Sequence, residues 1–146
     1  MEQLRRNRLN CWIKDIGRSR YMLDKRYYEG YEGEGEVKVW SGNNDKEKGI
    51  LIWIGFFNTI LEGCYSLGFQ KNGIIECYFN QNGFYDDKWE MKNPHIVLEE
   101  LKGFNEKLVD TRDEEIINKS KEIIEQLVSF INICIKNKRR IYIEYN

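Results

Sequence analysis

The side chains best suited to covalent or metal chemistry are few and scattered along this chain of 146 residues. His95 is the only imidazole. It stands near the start of an expected helix, where the backbone dipole disfavours its protonated form. A neutral imidazole beside a thiol would make a nucleophilic dyad. The four cysteines are Cys11, Cys64, Cys77 and Cys134, and no two of them share a C-x-x-C spacing. Three sit in apolar surroundings: Cys64 beside Leu61 and Leu67, Cys77 between Ile75 and Phe79, and Cys134 beside Ile131 and Ile135. Thiols so placed behave as small core hydrophobes, and no spacing selects one of them as a partner for His95. A Cys/His zinc site would have to be gathered from distant residues. The sequence therefore predicts no catalytic centre, no metal and no cofactor.

Other patterns point weakly to ligands. Gly30-x-x-Gly33-x-Gly35 is glycine-rich, but it matches neither the dinucleotide fingerprint nor a P-loop. Its glutamates would repel the phosphate that such a loop cradles. Asp86 and Asp87 are adjacent, and on a strand they would face opposite ways. Glu99 and Glu100 are expected on the solvated side of a helix. Arg5, Arg6, Arg8, Arg18 and Arg20 offer a phosphate footprint on the first expected helix. Lys and Arg total 23 against 24 Asp and Glu, however, so no general basic coat exists. A nucleic-acid-binding or regulatory role for these arginines stands as the alternative reading.

Acidic and aromatic residues cluster more persuasively. Tyr27, Tyr28, Glu29, Tyr31, Glu32, Glu34, Glu36 and Trp40 lie close together, and Tyr85, Asp86, Asp87, Trp89 and Glu90 repeat the chemistry downstream. Tyr and Trp supply large contact areas at low entropic cost. Carboxylates around them draw in a basic partner and speed the encounter. The alternative is that the rings close over the core while the acids keep the surface soluble. The expected partner contacts are Tyr28, Glu29, Tyr31, Glu32, Glu34, Asp86, Asp87 and Trp89.

The elements that must hold these residues follow from periodicity. Residues 3–28 carry Leu9, Trp12, Ile13, Ile16 and Leu23 at roughly helical spacing, with Gly17 weakening the middle. Residues 29–35 form a loop, and Val37, Val39 and Trp40 suggest a short strand. Ile50 to Ile54 fits a strand or a helix; the preferred division is a strand over 49–55 and a helix over 57–67. Residues 74–91 predict a β-hairpin, with Asn82-Gly83 as its tight turn. Asn93-Pro94 opens a helix that runs through Ile96, Leu101, Phe104 and Leu108. Thr111-Arg112-Asp113-Glu114 reads as a capping box for a long helix reaching about Asn137. Ile141 to Tyr145 alternates as a terminal strand.

The predicted fold is a single α+β domain over 1–146, a small, mostly antiparallel sheet packed against three or four helices. A hydrophobic content of 41% with one proline excludes a disordered chain. The charged N-terminal residues do not lead into a signal-peptide core, and no apolar run approaches the ~20 residues of a membrane span. A soluble, cytoplasmic protein is expected.

In overall character the chain resembles the small immunity proteins that neutralise bacterial contact-dependent or polymorphic toxins. Tyr27–Trp40 and Tyr85–Glu90 carry the likeness. It is one of composition and layout, with no motif from which residue roles could be transferred. The resemblance implies a non-enzymatic inhibitor that occludes the active site of a cognate toxin, a basic nuclease being the kind such proteins often mask. It implies no membrane and no nucleic acid as direct partners, and leaves the oligomeric state open.

Overall fold

The computed structural model describes residues 22–42, 48–65, 68, 70–80 and 87–145. Five strands and four α-helices make up these residues: β1 (Met22–Tyr27), β2 (Glu36–Ser41), β3 (Lys48–Trp53), α1 (Ile54–Cys64), α2 (Ile74–Asn80), β4 (Trp89–Glu90), α3 (Pro94–Lys102), α4 (Glu114–Lys136) and β5 (Tyr142–Tyr145), with a 3-10 turn at Glu106–Leu108. The strand order is β1-β3-β2-β5-β4. Three neighbouring pairs are antiparallel, and β1 with β3 is parallel. The fold is α+β, as the sequence predicts, with a mixed sheet that is mostly antiparallel.

Alternation along the central strands divides the sheet into two faces. Val37 and Val39 of β2 lie opposite Ile52 and Ile50 of β3, and Val39 also lies opposite Ile143 of β5. These residues are all buried, in one cluster with Phe57, Ile60 and Cys64 of α1 and Ile123, Leu127, Phe130 and Ile131 of α4. The other face carries Lys38, Trp40, Leu51, Tyr142 and Glu144 by the same parity. There Trp40 packs on Tyr142 with ring centroids 4.9 Å apart, and the Lys38 and Lys88 ammonium groups lie 4.8 and 5.3 Å from the Trp40 ring.

The structure corrects several sequence expectations. The helix expected over 3–28 is a strand at Met22–Tyr27, and residues 3–21 lie outside the described residues. Leu23 and Tyr27, four apart, suit either element. Pairing with β3 decides, and a register shift between Asp24 and Tyr27 returns the Tyr27 ring to the core.

The expected hairpin over 74–91 is also absent as such. Ile74–Asn80 is a helix, residues 81–86 with the Asn82-Gly83 turn lie outside the described residues, and the return strand shrinks to Trp89–Glu90, which pairs with β5. The cause is a distant cap. Glu100, expected on a solvated face, is fully buried. Its carboxylate accepts the N–H groups of Ile74 and Ile75 at 2.7 and 3.5 Å. Free N–H groups at a helix start need such an acceptor, and this one comes from α3, far along the chain.

The remaining differences concern helix ends. α1 starts at Ile54, three residues before the expected 57. α3 stops at Lys102, so Phe104 and Leu108 fall beyond it. Asn93 precedes α3 without a side-chain capping bond. The cap of α4 is Asp113, which accepts from Glu115 N and Ile116 N, whereas the sequence pattern points to Thr111. The expected strands at 37–40 and 141–145 both form.

Candidate protein-binding surface

The topology makes an unusual demand on the segment between β1 and β2. These strands follow one another in sequence, yet β3 lies between them. The segment must therefore cross the end of β3, about two strand spacings or ~10 Å. It does so as two successive turns. Tyr31 N donates to Tyr28 O and Glu34 N to Tyr31 O, each at 3.0 Å. Gly30 and Gly33 have φ of 92° and 93°, conformations that a side chain would strain. The Tyr28 hydroxyl closes the loop by donating to Glu34 O at 2.8 Å. Gly35 O accepts from Ile54 N at 3.0 Å, which pins the loop to the first residue of α1.

The ring of Tyr31 anchors the crossing. It stacks on Trp53, the last residue of β3, with centroids 4.0 Å apart and planes 8° from parallel. Both rings meet the edge of the buried Phe56, at 5.5 and 5.1 Å. Aromatic contacts of these two geometries are favourable beyond their area. The loop is thus a fixed turn with its carboxylates outermost. Glu29, Glu32 and Glu34 are all exposed. The Glu32 carboxylate is held below the usual range by its own backbone N–H and by that of Gly30, which donates to it at 3.0 Å. It stays ionised at neutral pH.

The expected contact residues divide into two groups. Tyr28, Glu29, Tyr31, Glu32 and Glu34 share this loop, with Tyr28 and Tyr31 half-buried as its supports. Asp87 and Trp89 belong to the opposite edge of the sheet from β1. Asp87 is exposed and accepts the Lys88 N–H at 2.7 Å. Trp89 is half-buried and packs against the core, so its ring supports the sheet edge. Asp86 lies outside the described residues.

The side chains considered for other chemistry are placed as follows. Cys64, Cys77 and Cys134 are free and buried. Burial, with Glu100 nearby, pushes the Cys64 thiol up to about 12. Burial pushes the Cys134 thiol up to about 11, opposed by the Ser41 hydroxyl and two cations. The Cys77 thiol is also raised by burial, with Glu76 adding to it. A thiol nucleophile needs the opposite shift. His95 is exposed in the first turn of α3. No group of three or more His, Cys, Asp or Glu is gathered for a metal among the described residues. No helix among them is long and apolar enough to cross a membrane. Cys11 and the arginines from Arg5 to Arg20 lie outside the described residues.

One surface feature escapes the sequence reading. The large hydrophobics that stand exposed among the described residues are Tyr65, Phe79 and Leu108, at 48, 58 and 43%. All three border one open cleft of about 330 Å3 between α1, α2 and the 3-10 turn. Asn58, Leu61 and Glu62 form its α1 wall, while Ile75 and Tyr78 of α2 complete it. The sequence hides this convergence, because Phe79 looks like a strand residue and Leu108 like the apolar face of a longer helix.

Comparison with protein-family models, with curated proteins and with solved structures finds no match for this chain.

Proposed function

We propose that this chain is a non-enzymatic binding protein whose acidic 28–35 loop docks onto a basic surface of a protein partner, in the manner of an immunity protein that occludes a bacterial toxin. The observation that carries the proposal is the loop itself. Three exposed carboxylates ride on a turn held by internal hydrogen bonds and by the Tyr31–Trp53 stack. A surface ordered before binding loses little entropy on association. Its charge would accelerate encounter with a cationic site and compete with an anionic substrate such as nucleic acid. The raised thiols argue against a cysteine nucleophile among the described cysteines.

The test is affinity capture from the native host with the tagged full chain and with a Glu29→Lys, Glu32→Lys, Glu34→Lys variant. The expected result is a basic protein held by the first and lost by the second. Association of the purified pair should slow by about tenfold or more as salt rises from low to physiological levels. Equal capture by both chains, or association indifferent to salt, would contradict the proposal. If the partner is a toxin, co-expression of the unaltered chain should protect growth and the reversed variant should not.

A further inference from the structure

The cleft beside α1 has the chemistry of a second docking point. We propose that it receives a basic amphipathic segment of a protein partner, with apolar side chains seated between Tyr65, Phe79 and Leu108 and a cation set against Glu62. The inference rests on the reading of this chain as a protein-binding module, though not on the acidic loop being its contact.

Three observations select this occupant. First, the exposed large hydrophobics converge here, and a contiguous apolar rim is the mark of an interaction site. Second, the cleft is open and its rim residues are about half exposed. A small molecule is normally enclosed on most sides, whereas a helix or peptide laid along a groove is covered on one. Third, Glu62 is the one charged side chain in the lining among the described residues. Its Oε2 accepts the Asp110 N–H at 2.9 Å, and its Oε1 takes no hydrogen bond from the described residues. Asp110, whose backbone is held beside it, is exposed. Tyr78 and Phe79 meet edge to face, with centroids 5.7 Å apart, and such aromatic faces favour a neighbouring cation.

The geometry also ties this site to the acidic loop. Ile54 N donates to Gly35 O, the loop's anchor, at the start of α1, Asn58 and Glu62 follow at one-turn intervals along the same helix, and Tyr65 caps its end.

The experiment titrates the full chain with a short synthetic peptide bearing leucines at i, i+3, i+4 and i+7 and lysines elsewhere, followed by calorimetry and amide chemical shifts. A matched peptide with glutamates in place of the lysines is the control. Binding of the lysine peptide alone is expected, with shifts centred on α1 and α2. Phe79→Ser and Leu108→Ser each replace an exposed side chain, so folding should survive, and each should weaken binding by about tenfold. Glu62→Gln keeps an acceptor for Asp110 N and should weaken binding several-fold while narrowing the preference over the glutamate control. The Glu29, Glu32, Glu34 reversal should leave peptide binding in the cleft unchanged, which separates this proposal from the previous one. Equal binding of the two peptides, or indifference to Phe79→Ser and Leu108→Ser, would overturn it. So would self-association abolished by Phe79→Ser, which would make a second copy the occupant. Binding that appears only after Arg5, Arg6 and Arg8 are reversed would instead assign the cleft to the chain's own N-terminal residues.

Discussion

Glu100 shows how much one side chain decides. Its carboxylate is buried at the start of α2, and Gly73 is small because a methyl group there would run into it. Burial raises its pKa, against the pull of the Ile74 and Ile75 N–H groups. The folded pKa thus lies above the unfolded one. The native state is favoured while Glu100 is protonated, and that advantage is lost as pH rises from the ordinary carboxylate range through the raised folded value. Stability relative to Glu100→Gln, followed by urea unfolding, should fall as pH rises across this window; a flat difference would refute the assignment. Glu100→Ala should cost about 1–3 kcal/mol by leaving two buried donors unmet. None of this was legible in the sequence. Glu99 and Glu100 look alike there, and the residues that distinguish them are on a different helix.

At the level of elements, legibility follows the range of the deciding interaction. α4 was readable because its apolar stripe and its acidic start are local, although the cap is Asp113 and not Thr111. Asp113→Ala should lower stability by about 1 kcal/mol, measured by chemical denaturation, and Thr111→Ala by less. β2 and β5 were readable from alternation alone. β1 and α2 were not, since a parallel neighbour and a distant carboxylate overrule weak local preferences. The 28–35 loop was legible as a loop, but its rigidity was not. At Gly30 and Gly33 an added methyl would meet nothing within 4 Å, so any cost of alanine there is backbone strain. Gly30→Ala and Gly33→Ala should each destabilise by roughly 1–2 kcal/mol without altering core packing, as judged by unchanged core methyl shifts.

For the molecule as a whole, the packing of helices on the sheet buries the three described thiols. Cys64, Cys77 and Cys134 should resist a thiol reagent at pH 8 in the native state and react only on unfolding, at a rate that tracks global stability. Rapid native labelling of any of them would disprove that burial. The β4 edge is short and charged, two residues beside Lys88 and the Arg140–Glu90 pair at 3.4 Å, and an edge of that kind offers little to pair with. The α+β class was readable from the order of elements. The separation of Asp87 and Trp89 from the loop was not, because it depends on β5 inserting between β2 and β4.

The crossing over Trp53 sets a rule for sequence drift. The bridge between β1 and β2 has a width to span and a ring to rest on, so its length and its two left-handed glycines are fixed by architecture. Its outward letters are not. The charges at 29, 32 and 34 are free to be rewritten in sequence while the span itself stays the same number of residues long.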